Sequence, residues 1–282
     1  MRPIIEKSKF ELRHVVYIII IIICLIAIGI AVYMQFFKDE GLGIIFGISK
    51  EEDREYKELK ENFLNIFDNT LDVKEQFNGN IKKIREKDDI ILVAFDTQEQ
   101  NENYTVNLKI PYFNIDSEDA RQHNRQIKEL FKDKSESVLS SNSSKNIIYN
   151  VKYKAYEQNN ILSLIILSEL KEGESSERII IQTYNYNLQT NKEITINEVL
   201  EKRNINIENA NNKIKDEVNN SQEQNIKLSE LGYNVNIRDT NSDMYKIQNA
   251  KEFFIGENGY LYIIYPYGND EFTSEMDVII FR

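Results

Sequence analysis

From Val15 to Phe37 the chain runs through 23 positions without a charged side chain, "VVYIIIIIICLIAIGIAVYMQFF". At 1.5 Å rise per residue a helix of that length measures about 34 Å, enough to cross a hydrocarbon core of about 30 Å. A soluble helix keeps one polar face, so a run that is apolar on every side predicts a single transmembrane helix over residues 15–37, in contact with membrane lipid. Arg2, Lys7, Lys9 and Arg13 precede the span, whereas Lys38, Asp39 and Glu40 follow it. The positive-inside rule then makes residues 1–14 a cytoplasmic tail and sends the remainder across a cell membrane, single-pass. The run is longer than the roughly 7 to 15 residues of a signal-peptide core, which favours a retained anchor over a cleaved leader. Cys24 sits inside the run without the small residue that a lipoprotein signal places before its cysteine, so it reads as a packing or lipid-facing side chain.

The region beyond the span contains no cysteine. Its stability must come from a hydrophobic core and not from disulfides, which for an exported protein fits a single-membrane, Gram-positive-like bacterium. Of the chain's 35 basic and 46 acidic residues, the tail holds four and two, which leaves 31 against 44 outside it, a net charge of −13. Such a surface repels phosphate backbones, excluding nucleic acid as a partner, and favours cationic ones.

Immediately after the span, Gly41, Gly43 and Gly47 approach a dinucleotide-binding fingerprint, but the spacing is one residue too long and no strand precedes it. The stretch reads as an apolar linker at the lipid interface, and no cofactor is expected. Ser49 and Glu52 form a capping-box pattern ahead of Tyr56, Leu59, Phe63, Ile66 and Val73 on one helical face, which predicts an amphipathic helix over 50–77.

Strands are expected at 90–95 and 104–110, with 96–103 as the hairpin loop and Pro111 ending the second. Asp116 or Ser117 caps a helix whose buried stripe is Ala120, Ile127, Phe131 and Val138. Further strands follow at 147–156, 161–170 and 178–188, with Asn159 and Asn160 as a tight turn. Helical pieces near 195–202 and 208–220, a polar stretch and a closing hairpin through Asn258 and Gly259 complete the chain. The expected fold class is α+β, with antiparallel sheets and helices packed on them, preceded by the transmembrane helix. The expected organisation is a tail (1–14), a span (15–37), a linker with juxtamembrane helix (38–78) and an extracytoplasmic α+β region (79–282), subdivided near residue 175.

Only two histidines occur, and His14 abuts the span. His123, between Gln122 and Asn124, reads as a solvated side chain. Ser-His-Asp, Cys-His and His/Cys zinc sites are thereby excluded, and carboxylate chemistry is what remains. A carboxylate pair can hydrolyse glycosides, but 44 acidic residues produce close pairs by chance, and no Trp is available as a sugar platform. No catalytic residue is assigned, and an enzyme is not expected.

The segment "YIIYPYGNDEFTSEMDVIIF" (262–281) concentrates Asp270, Glu271, Glu275 and Asp277 between apolar flanks. It lacks the spacing of an EF-hand loop, so no metal site is assigned. Alternation in a strand starting at Glu275 puts Asp277 on the exposed face, with Asp270 and Glu271 in the preceding turn. These four are the candidate residues for a cationic partner or an ion.

The stretches "YNYNLQTNKEITINEVL" (184–200) and "FFIGENGYLYIIYPYGN" (253–269) resemble the RsiV-like extracytoplasmic domain family, found in a lysozyme-sensing anti-sigma factor and ahead of the catalytic domain of some peptidoglycan deacetylases. The resemblance is carried by Tyr184, Asn185, Thr190, Lys192, Ile194, Thr195, Leu261, Pro266 and Tyr267. Upstream, "LKIPYFNIDSEDARQHNRQI" (108–127) is similar to the companion domain, with Asn124 at its helical Asn. Asn191 stands where the family has Gly, and Asn also tolerates positive φ. The resemblance implies the fold, the compartment and a ligand class such as lysozyme or wall material. No anti-sigma or deacetylase domain is expected beside it.

The expected function is therefore a non-enzymatic, membrane-anchored binding or sensing protein of the bacterial cell envelope, whose partner is a lysozyme-like cationic protein or cell-wall glycan. The alternatives are a carboxylate-dependent wall-active hydrolase and a structural component of an envelope complex.

Overall fold

The computed structural model describes residues 50–67, 89–140 and 146–282. The tail, the span over 15–37, the linker, Ser49 and Val73 lie outside the described residues. Among the described residues, no helix is long and apolar enough to cross a membrane. The chain divides into one unit ending at Glu61 and another from Asn62 to Arg282.

In the first unit, α1 (Lys50–Glu61) carries an exposed Arg54–Glu58 pair one turn apart at 3.9 Å. It ends earlier than its periodicity predicts. A 3-10 turn over Phe63–Phe67 opens the second unit and buries Phe63 and Phe67, with the Phe63 ring against Phe254 and Tyr262. Ile66, expected on the buried face, is only half-buried.

Six strands form the larger sheet in the order β1 to β6: β1 (Ile91–Gln100), β2 (Tyr104–Phe113), β3 (Ile147–Gln158), β4 (Ile161–Glu172), β5 (Arg178–Asn187) and β6 (Lys192–Glu193). The expectation of a purely antiparallel arrangement is corrected at one place, because β2 and β3 pair parallel, Tyr104–Leu108 against Ile147–Val151. Parallel neighbours need a crossover, and the helical segment between them supplies it: α2 (Glu118–Ile127), a π turn over Lys128–Lys132 and α3 (Asp133–Ser140). Ser117 caps α2 by accepting from the Ala120 N–H at 3.1 Å, and Ala120, Ile127, Phe131 and Val138 are all buried in the core beneath this sheet.

Two other expectations in this sheet change. The polar run after Phe95 is not a loop: β1 continues to Gln100, and only 101–103 turn, with Asn101 Oδ1 accepting from the Asn103 and Tyr104 N–H groups. An edge strand with little to cover it can be polar along most of its length. Pro111 does not end β2. It lies opposite Val93, where the register slips before Phe95, so the bulge in β1 absorbs the missing donor. Strand β4 is buried from Ile161 to Ser168, with Leu162, Leu164 and Ile166 in the core beneath the sheet and Ser163 on the other face against β7. The turn before it holds Asn159 and Asn160 at φ 52° and 64°, the paired left-handed conformation of a two-residue hairpin.

The second sheet is antiparallel: β7 (Glu252–Ile255), β8 (Leu261–Pro266) and β9 (Met276–Phe281). Its hairpin takes left-handed backbone at Gly259 alone, with Asn258 Oδ1 accepting from the Tyr260 N–H instead. Helices α4 (Ile196–Lys202) and α5 (Ile207–Glu230) share its core through Val199, Leu200, Ile214 and Val218. Thr195 and Glu198 cap α4 reciprocally.

A buried polar seam joins the sheets. Asn185 Nδ2 donates to the Phe253 carbonyl at 2.6 Å, while its Oδ1 accepts from Ser163 Oγ at 2.6 Å. Ser163 Oγ accepts from the Ile255 N–H at 3.0 Å, and Thr183 Oγ1 from the Phe253 N–H at 3.0 Å. Side chains of β4 and β5 thus satisfy the backbone of β7, which would otherwise be a bare sheet edge.

Candidate functional site

The end of β8, the turn after it and the start of β9 hold the four candidate carboxylates, and the fold separates them into two pairs. Asp277 was expected on the exposed face of its strand, and the structure corrects this. Asp277 is only 5% exposed, and its Oδ2 lies 3.0 Å from Arg238 Nε. The Tyr245 hydroxyl donates to the same oxygen at 3.0 Å. The reason is non-local: Asp277 shares its strand face with Ile279 and Phe281, which α4 and α5 cover, and the segment after α5 brings a guanidinium to it. Nη1 of Arg238 is buried without a hydrogen-bond partner, and the contact through Nε is ionic without hydrogen-bond alignment.

Glu275 is half-buried and accepts from the Tyr267 hydroxyl at 3.0 Å. That hydroxyl also accepts from Arg238 Nη2, and the guanidinium carbon stands 4.0 Å from the Tyr267 ring centroid. Burial, opposed by the Arg238 charge, pushes the Tyr267 phenol up to about 12, so it remains a neutral donor. Arg238, Tyr245, Tyr267, Glu275 and Asp277 form one continuous clamp that ties the segment after α5 to the second sheet. The backbone of Arg238 is fixed as well, its N–H donating to Gln222 Oε1 on α5 at 3.1 Å.

Asp270 and Glu271 do the opposite and remain exposed. Asn269 Oδ1 accepts from the Glu271 and Phe272 N–H groups, both at 2.9 Å, which shapes the turn. At Gly268 an added Cβ would run into the Phe272 carbonyl oxygen, so the corner depends on glycine. Among the described residues, no three His, Cys, Asp or Glu side chains converge as a metal site.

The exposed pair adjoins apolar surface that sequence patterning does not single out. Leu231, Tyr233 and Ile237 are 74%, 63% and 51% exposed. Asn234 Nδ2 reaches Glu271 Oε1 at 3.4 Å, and Asn236 Nδ2 donates to the Tyr267 carbonyl at 3.0 Å. These contacts tie the segment that carries the three exposed side chains to the acidic turn. The missed partner of Asp277 did have a sequence signal: Arg238 is the one basic residue between Lys227 and Lys246.

His123 also departs from expectation. It is 3% exposed, with its ring centroid 5.5 Å from that of Phe113 and 5.0 Å from that of Tyr184. The flanking Gln122 and Asn124 suggest a polar face, but Asn124 spends its amide on the backbone of Phe113, donating to its carbonyl and accepting from its N–H. A pocket of about 120 Å³ lies elsewhere, beside Lys202, Arg203 and Gly259. That is well below the roughly 300 to 1,000 Å³ of small-molecule sites.

Among solved structures, the chain is similar to a DUF3298 family protein from Pseudomonas aeruginosa PAO1, at 12% identity and a TM-score of 0.37, over 67% of this chain and 85% of that one. It is also similar to a DUF3298 family member from Bacteroides fragilis, at 9% identity and a TM-score of 0.35, over 72% of this chain and 90% of that one. No family model and no curated protein matches the chain.

Proposed function

We propose that the chain is a non-enzymatic, membrane-anchored binding protein of the bacterial cell envelope, held by residues 15–37 and taking a lysozyme-like cationic protein on the surface formed by Leu231, Tyr233, Ile237, Asp270 and Glu271. The observation that carries this reading is the exposed apolar ridge joined to an exposed acidic turn. A solvent-facing Tyr and two aliphatic side chains supply contact area, and carboxylates at the rim steer a partner of opposite charge. The net charge of −13 beyond the tail adds a long-range attraction of the same sign. A hydrolase using the 262–281 segment is less well supported, because two of its four carboxylates are engaged by Arg238 and Tyr267.

The test is binding of lysozyme to the full-length chain in detergent, at about 50 mM and about 500 mM salt. Binding should weaken at least about tenfold at the higher salt, because exposed ionic contacts are screened. Asp270→Lys with Glu271→Lys, and separately Leu231→Ser with Tyr233→Ser, should each weaken it about tenfold or more without lowering the melting temperature. Absence of binding at low salt, or binding that survives both double substitutions, overturns the reading.

A further inference from the structure

The small pocket beside α4 collects positive charge in a protein whose net charge beyond the tail is −13. Lys202 ends α4 and Arg203 caps it. Both line the pocket, together with Asn159 from the turn between β3 and β4, Gly259 from the hairpin between β7 and β8, and the buried Ile161 and Ile255. Arg203 Nη1 donates to the Gly259 carbonyl at 2.7 Å, which fixes the guanidinium against the hairpin. That neutral carbonyl is its one partner among the described residues, and its Nε and Nη2 are not shut away from solvent, so this edge of the fork is open. Arg121, Arg125 and Arg238 differ, meeting carboxylates at 2.8, 3.3 and 3.0 Å. Accordingly, burial lowers the Arg203 pKa from its ordinary value and no neighbouring carboxylate restores it. The carbonyls ending α4 compete little for these donors, because those of Val199, Leu200 and Glu201 already accept from the Arg203, Ile205 and Asn204 N–H groups.

We propose that this pocket binds the carboxylate of a small apolar residue, as at the end of a peptide: the open edge of Arg203 takes both oxygens, Lys202 adds charge, and Ile161 with Ile255 receives a methyl-sized side chain. A planar guanidinium fork matches a planar carboxylate with two parallel hydrogen bonds. Phosphate brings more charge and more oxygens than one fork and an exposed lysine satisfy, and it leaves the isoleucine walls uncovered. A volume of about 120 Å³ suits one terminal group and not a whole small molecule. The acidic surface opposes such an anion only weakly, because charges more than about 10 Å away are largely screened at about 0.1 M salt. No residue of this pocket belongs to the surface proposed above for a cationic partner, so the two sites stand or fall separately.

Titration of the full-length chain in detergent with acetyl-alanine, followed by the NMR signals of the Gly259 amide and the Arg203 Nε–H, tests the assignment. The signals should shift and saturate with a Kd of about 1 mM. Acetyl-alanine amide, which lacks the charge, should bind at least about tenfold more weakly. Acetylglycine, which lacks the methyl group, should bind about threefold more weakly, and inorganic phosphate should also bind more weakly than acetyl-alanine. Arg203→Gln should abolish saturation at the Gly259 amide, and Lys202→Glu, on an exposed side chain, should weaken binding at least about tenfold without lowering the melting temperature. No saturable shift by about 20 mM, equal affinity for the amide or for acetylglycine, or tighter binding of phosphate overturns the proposal. Should Arg203→Gln not fold, Lys202→Glu decides the matter, since unchanged affinity in that variant overturns it.

Discussion

Arg238 and Asp277 meet at 3.0 Å with side chains only 4% and 5% exposed, linking the segment after α5 to the last strand of the chain. Removing one partner of such a pair leaves an uncompensated buried charge, which costs about 3 to 5 kcal/mol. Asp277→Ala should lower unfolding free energy by that amount in urea denaturation. Asp277→Ala combined with Arg238→Met should recover part of the loss, since the stranded guanidinium is then gone. A double variant no more stable than Asp277→Ala alone would mean that the charge is not the source of the cost.

Asn185 is the joint between the two sheets. Its Ala variant leaves the Phe253 carbonyl without its Nδ2 donor and Ser163 Oγ without its Oδ1 acceptor. Unsatisfied buried groups cost about 1 to 3 kcal/mol each, so Asn185→Ala, which strands two, should destabilise by about 2 to 6 kcal/mol. A double-mutant cycle with Ser163→Ala should show coupling above about 0.5 kcal/mol, because the two side chains share one network. Additive losses would separate them.

Glu252 gives a pH dependence of definite sign. Its carboxylate accepts from the Thr183 N–H at 2.7 Å and from Thr183 Oγ1 at 3.1 Å. Burial outweighs these bonds and raises its pKa above the ordinary 4.5. The folded state therefore holds the proton more readily than the unfolded state does. The associated stability is fully present below about 4.5 and is lost as pH rises through the raised value. The melting temperature of the wild type relative to Glu252→Gln should consequently fall between pH 4.5 and 7. His123, whose pKa burial holds below its ordinary 6.5, has the opposite sign but is common to both proteins and cancels in the comparison. A wild-type advantage that grows with pH would contradict the assignment.

Much of the local structure was legible because its causes are local. The alternation of Tyr104, Val106, Leu108 and Ile110 identified β2, the stripe from Ala120 to Val138 identified the crossover helices, and Asn159 with Asn160 identified a turn. Where the sequence misled, a partner elsewhere in the chain had intervened. Polar neighbours made His123 look solvated, and alternation made Asp277 look exposed, yet both are buried by elements distant in sequence.

The sequence by itself thus determined the 15–37 run, the acidic balance beyond it, the turn at Asn159 and Asn160 and the alternation of β2, since these depend on neighbours within a few positions. The tertiary structure alone decided that β2 and β3 run parallel, and that Asn185 stitches two sheets. It also divided the four terminal carboxylates, setting Asp277 and Glu275 into a clamp and leaving Asp270 and Glu271 beside an apolar ridge. Burial and charge pairing depend on what the rest of the chain brings to a surface, and no periodicity in one segment records what will cover it.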